Sequence, residues 1–195
     1  QDGTYELTGS AADHTLGSFA SRWVTHPEAG VDLCATFADD IFAAHPFAPL
    51  EPFSIPIPQT AFATQAQLGE LAALEDVVMA GCPAGMLDAA NHFAILRRGS
   101  TASHPFTDFD ARAEGLLDLA VFGGSSGSPV IHIASWTLLG VITQTVRLAC
   151  EGEVEMKPGH GSGKVHLVAR TDVPIHLGKY VKARELLALL EAMGG

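Results

Sequence analysis

The sequence is short of positive charge. Its 195 residues include 11 Lys and Arg against 22 Asp and Glu, for a formal net charge of −11. Such a surface repels phosphate backbones and anionic head groups, so nucleic acid and membrane surfaces are not expected partners. Cysteine is scarce: Cys34, Cys82 and Cys150 stand far apart with no CxxC pair. That pattern argues against a secreted disulfide scaffold and predicts reduced, mostly buried thiols in a cytoplasmic setting. Long apolar runs are missing too. None reaches the roughly 18 residues that span a bilayer, and the N-terminal region lacks the charged-then-apolar pattern of a signal segment. No internal repeat is visible. Residue 1 is Gln, which suggests a chain that begins after processing or cutting.

Metal and phosphate motifs fail on inspection. The nine histidines include no HExxH and no paired short spacing, and His160 and His166 read as loop residues. Gly159 to Lys164 imitates a phosphate-binding loop, but Pro158 stands where its first glycine belongs and Val165 where its final Ser or Thr belongs. Glu151, Glu153 and Glu155 read as a solvated strand face, with weak calcium binding as the alternative. No metal and no cofactor are expected.

What the sequence does have is material for a core, at 47 % hydrophobic residues. That excludes a disordered chain. Short runs rich in Val, Ile, Leu and Phe, bounded by Gly, Pro or Ser, predict strands. They are Gly3 to Leu7, Ala20 to Thr25, Val31 to Phe37, Ala73 to Ala80, His92 to Ala102, Gly115 to Val121, Pro129 to Ile133, Trp136 to Val146, Lys164 to Ala169 and Lys179 to Ala183. No strand–helix–strand alternation interleaves them, so the expected class is all-β, an antiparallel barrel or sandwich. Pro46, Pro49, Pro52, Pro56 and Pro58 make Ala44 to Gln59 an extended crossing. The expected division is therefore residues 1–59 and 60–195. Thr64 to Leu74 predicts a short helix, and Lys182 to Met193, apolar on one face, a C-terminal helix docked on the body. Glu151 to Gly163 reads as a polar, glycine-rich loop.

The strongest chemical signal is Gly123-Gly124-Ser125-Ser126-Gly127-Ser128-Pro129, set between two apolar strands. Closely spaced glycines permit positive φ and let successive N–H groups form an anion-binding concavity. A serine hydroxyl in the same turn can attack a carbonyl while those amides receive the developing negative charge. The competing reading is a plain Gly/Ser hairpin turn. A GxSxG nucleophile elbow can be laid on Gly123, Ser125 and Gly127, with Asp172 and His176 downstream. That elbow needs a helix after its serine, whereas Pro129 and the apolar run behind it announce a strand.

GSSGSP resembles the GxSGxP signature of chymotrypsin-like serine peptidases, especially the bacterial branch that reads GxSGSP. Further similarities follow in chain order. His26 to Ala35 resembles the segment bearing the triad aspartate, and Gly81-Cys82-Pro83-Ala84-Gly85 a turn near the start of the second barrel. Leu96 to Gly99, Asp118 to Ala120, Leu139 to Ile142 and Leu177 to Lys182 resemble the family's remaining strands and the lead into its terminal helix. The resemblance covers roughly residues 20–193 and implies a double antiparallel β-barrel, the first barrel incomplete here, with a C-terminal helix. Position by position it implies Ser126 as nucleophile, the amides of Gly124 and Ser126 as oxyanion hole, and Asp32 as the acid orienting the base. Asp32 also interrupts an apolar run, Val31, Leu33, Cys34 and Ala35, where an unbonded carboxylate would be costly.

The family's histidine segment has no counterpart. His14 and His26 lie in polar or turn-like sequence close to Asp32 and read as surface residues. The expectation is a histidine outside residues 1–195, in a missing N-terminal segment or second fragment. By the same analogy the specificity pocket has its base at Ala120 and its walls at Thr143, Gln144 and Thr145. No acid stands there to attract Lys or Arg, which points to a small or apolar side chain. The expected function is that of a serine endopeptidase acting on protein or peptide through an acyl-enzyme; the alternative is a non-catalytic protease-like module that binds extended peptides.

Overall fold

A computed structural model of the chain describes residues 19–39, 54–155 and 166–194. Eight strands are present: β1 (Val24–Thr25), β2 (Cys34–Ala35), β3 (Asp76–Gly81), β4 (Ile95–Thr101), β5 (Glu114–Asp118), β6 (Pro129–His132), β7 (Thr137–Glu155) and β8 (His166–Lys182). Among the described residues the helices with both ends defined are α1 (Gln65–Glu70) and α2 (Ala183–Ala192). Strands β3 to β8 close into a six-stranded antiparallel barrel in the order β3-β4-β5-β8-β7-β6, and β1 and β2 form a separate two-stranded sheet. The protein is thus mostly β with a short C-terminal helix, as the patterning indicates. No second barrel occurs among the described residues.

Alternation along the strands fills the interior. In β5 the exposed Asp118 ends a run in which Gly115 and Leu117 are buried, and in β6 Val130 and His132 face inward. Val77, Met79, Leu117, Leu119, Val121, Val130, Leu139, Ile142 and Tyr180 make the continuous core, with Leu68 of α1 packed onto it. A barrel this narrow is filled by side chains and has no lumen. The Tyr180 ring, 1 % exposed, lies over Gly115 where any side chain would collide with the ring atoms. Its buried hydroxyl has no hydrogen-bond partner among the described residues, and burial pushes its pKa far above the ordinary tyrosine value.

Helix α1 starts at a capping box read directly from TQAQ. The Gln67 N–H donates to Thr64 Oγ1 (3.3 Å) and the Thr64 N–H to Gln67 Oε1 (2.9 Å). Helix α2 follows β8 without a loop. At the junction Lys182, 1 % exposed, donates from Nζ to the carbonyls of Phe106 (3.2 Å) and Thr107 (2.6 Å) and to Asp108 Oδ1 (2.9 Å). Arg184 Nη2 reaches the other Asp108 oxygen at 2.6 Å. One carboxylate thereby ties the helix start to the β4–β5 connection, and the Arg184 hydrogen bond, assisted by Lys182, holds its pKa below the usual value.

Several expectations are corrected. Residues 19–22 form a 3-10 turn, and only Val24–Thr25 continues as strand. Of the run from Val31 to Phe37 only Cys34–Ala35 pairs. Lys164 to Ala169 and Lys179 to Ala183 are not two strands: β8 is continuous from His166 and turns helical at Ala183. Glu151 to Glu155 belong to β7 rather than a loop, paired with 166–170, because a long ribbon satisfies its own backbone whatever its composition. Residues 156–165 lie outside the described residues, as do Gly3 to Leu7, His14 and most of the proline-rich crossing. All three cysteines are free thiols, but Cys34 is exposed and the other two are half-buried.

Replacing Tyr180 by Phe removes an unsatisfied buried hydroxyl at constant shape, so denaturant unfolding should show unchanged or slightly higher stability. Gly115→Ala should lower stability by about 1–3 kcal/mol, the range for overpacking a filled core. For Asp108 the depressed folded pKa sets the sign: its stabilisation is present above the ordinary value of 3.8 and fades as pH falls through the lower folded value. Asp108→Asn should therefore weaken the protein at neutral pH and flatten the acid limb of its stability curve, read by thermal melts below pH about 4.

Candidate functional site

The loop from Phe122 to Ser128 connects β5 to β6 and is folded by its own backbone. The Ser125 N–H donates to the Phe122 carbonyl (3.0 Å), the Ser128 N–H to the Ser125 carbonyl (3.1 Å) and the Gly127 N–H to the Ile142 carbonyl of β7 (2.8 Å). The amides of Gly123, Gly124 and Ser126 have no acceptor among the described residues. Gly124 (φ +89°) and Gly127 (φ +82°) take the left-handed conformation that the glycines make accessible.

A second motif, distant in sequence, braces this loop. The 3-10 turn Pro83–Gly85 follows β3, and the Ala84 N–H donates to the Gly123 carbonyl at 2.6 Å. A Cβ on Gly124 would lie 2.7 Å from the Cys82 carbonyl oxygen and 3.3 Å from the Ala84 nitrogen. Only glycine lets the two backbones approach so closely. Ser125 points inward, fully buried, its hydroxyl without a partner. Ser126 is exposed, and its hydroxyl donates to the Thr143 carbonyl across a long 3.4 Å.

Beside Ser126 lies a cavity of about 560 Å³, lined by the loop at Val121 to Gly123, by Thr143 to Arg147 of β7 and by Lys179 of β8. Five consecutive β7 residues can face one cavity because the β7–β8 register slips twice, between Ile142 and Gln144 and between Thr145 and Arg147. The first slip adds one residue to β7 and the second adds two to β8, and such irregularities re-aim the side chains around them. Thr145 Oγ1 is committed to the Val121 carbonyl at 3.0 Å. Lys179 reaches Glu114 at 3.5 Å and sits over the Phe109 ring.

Of the residues picked out in the sequence, Ser126, Thr143, Gln144 and Thr145 therefore meet at one cavity. Ala120 is half-buried next to it and is not among its lining residues. Asp32 is elsewhere. It is an exposed residue in the bend before β2 rather than a member of a strand, and it makes no side-chain hydrogen bond among the described residues. Its hairpin packs on α2, where His26 is buried with Nε2 at 3.5 Å from Glu185. His26 is thus not the surface residue that its turn-like sequence suggests. No histidine lines the Ser126 cavity among the described residues.

Sequence reasoning missed Phe122, Arg147 and Lys179. Arg147 lies just past the last wall position that the resemblance supplies, and the register slips that bring it in leave no mark in composition. It also missed a serine, histidine and carboxylate that do line up. His132, 4 % exposed, meets Ser135 Oγ at 2.6 Å through Nδ1 and Glu75 Oε2 at 3.2 Å through Nε2. Ser135 is also bonded to Thr137 at 2.7 Å. This network ties the β6–β7 turn to the start of β3, at the end of β6 away from Ser126, and its hydroxyl is engaged on two sides.

Comparison with protein-family models, with curated proteins and with solved structures finds no match for this chain.

The contact at Gly124 is directly testable. Gly124→Ala should cost about 1–3 kcal/mol more in denaturant unfolding than Gly127→Ala, which shares the positive φ but has open space where the Cβ would go. Equal costs for the two would show that backbone conformation alone, and not the brace, requires glycine at Gly124.

Proposed function

We propose that this protein is a serine peptidase of chymotrypsin-like type in which Ser126 is the nucleophile. The observation that carries the reading is the loop itself. One exposed hydroxyl stands at a cavity wall while the N–H groups of Gly124 and Ser126, in the same tight bend, are left without acceptors. Amides fixed by surrounding structure stabilise an oxyanion without reorganising, and removing one such donor lowers kcat by about 10²–10³-fold.

In the proposed reaction Ser126 Oγ attacks the peptide carbonyl carbon as a base takes its proton. The resulting oxyanion is held by the two amides, the leaving amine takes the proton, and water hydrolyses the acyl-enzyme. A histidine from outside residues 1–195 is the proposed base, contributing roughly 10²–10⁴-fold. Asp32 does not line the Ser126 cavity, so the proposal rests on the serine loop and treats the orienting acid as arriving with the histidine. The six-stranded barrel with its terminal helix takes the place of the family's second barrel; the first barrel belongs to the proposal alone.

A second reading has its own support. Pairing of β7 with β6 stops at Val141, so among the described residues the backbone beyond Thr143, whose carbonyl already accepts from Ser126, pairs with no strand on that side, and an extended peptide can add there as a strand without chemistry.

A fluorophosphonate separates the two readings. Treating the intact protein, with any segment that precedes Gln1, should add one phosphonyl group at Ser126, located by peptide mass spectrometry and absent from Ser126→Ala. Lack of an adduct together with saturable peptide binding would overturn the peptidase in favour of the binding module.

A further inference from the structure

Charge around the Ser126 cavity runs opposite to that of the whole chain. Arg147 and Lys179 line it, and no Asp or Glu does, although acids outnumber bases 22 to 11 overall. The Arg97 guanidinium adds a further positive group, 5.3 Å from the centroid of the Phe122 ring that forms one wall.

These cations differ in availability. Lys179 is engaged by Glu114 and by the Phe109 ring. Arg147 is exposed and has no ion pair or hydrogen bond among the described residues. The side chains of Thr143 and Gln144, on the same wall, are likewise without partners. A guanidinium, a hydroxyl and a carboxamide, all uncommitted, can all donate to a carboxylate, and the guanidinium charge repels an ammonium group.

We propose that the cavity beside Ser126 takes an acidic side chain, glutamate or aspartate, of a bound peptide, with Arg147 as its counter-charge. This deepens the reading of the cavity as the peptide site, on which it rests, and replaces the small or apolar side chain suggested by Ala120. The chain's overall negative charge does not forbid an acidic guest, because repulsion from distant surface acids is screened beyond about 8 Å at physiological salt, whereas Arg147 acts at contact. The same balance makes the preference sensitive to ionic strength.

The test separates binding from chemistry. Fluorescently tagged, amide-capped peptides that differ only in a central Glu, Gln or Lys are titrated by anisotropy into the intact protein carrying Ser126→Ala, which removes the nucleophile and leaves the lining cations. The Glu peptide should bind about tenfold more tightly than the Gln peptide and more tightly still than the Lys peptide. The Glu-to-Gln ratio should fall towards one in Arg147→Gln and when salt is raised from about 20 mM to about 500 mM. Arg112→Gln, which does not line this cavity, should keep the ratio. Equal binding of Glu and Gln, a preference that survives Arg147→Gln, or no saturable binding of any peptide would overturn the proposal. Because this readout needs no turnover, selective binding without fluorophosphonate labelling of Ser126 would sink the peptidase and retain the acidic preference. Labelling without selectivity would do the reverse.

Discussion

The hydrogen bond from the Ala84 N–H to the Gly123 carbonyl, 2.6 Å long, anchors the arrangement at the candidate site. It seats the turn after β3 on the loop between β5 and β6, and the seat exists only because Gly124 has no Cβ to strike the Cys82 carbonyl. Pressed from that side and tied on the other to Ile142, the loop keeps a compact bend in which the amides of Ser125, Gly127 and Ser128 are bonded and those of Gly123, Gly124 and Ser126 are not. The bonded amides give rigidity. The unbonded ones, with the Ser126 hydroxyl, are what is left to meet a ligand.

The barrel supplies the second condition. Closure of β3 to β8 removes free edges over most of the sheet, but β7 and β8 run beyond the barrel as a paired ribbon, and their register slips twice beside Ser126. Those irregularities convert an alternating strand into a wall on which Thr143 to Arg147 face one cavity. At the far end of β8, Lys182 and Arg184 converge on Asp108 and hold α2 against the barrel. The His132, Ser135 and Glu75 network closes the end of β6 away from the site. Two polar ties, neither of which lines the Ser126 cavity, thus secure the frame on which the serine loop sits.

Much of this was legible before any coordinates. The strand run at 129–133, the short helix within 64–74 and the apolar face of 182–193 each carry local instructions, and each became the element expected; the run at 136–146 also became a strand, one that continues to Glu155. The density of glycine and serine at 123–129 singled out the loop for the same reason, since only such residues accept its backbone angles. Asp32 was misjudged because an acid inside an apolar run looks buried; the run is instead a loosely paired hairpin in which Asp32 faces solvent. His26 was misjudged in the opposite sense, since a neighbouring proline suggests a surface turn and cannot reveal that α2 covers it.

The sequence by itself determined the class of fold and singled out the glycine-rich loop that carries Ser126, because periodicity and glycine content act over a few residues. Only the tertiary structure decided what surrounds that loop. The Cys82 to Gly85 brace, the slipped register of β7 and the meeting of Arg147 with Ser126 join residues some 20 to 40 positions apart. Such contacts form when the barrel closes, and no local pattern encodes them.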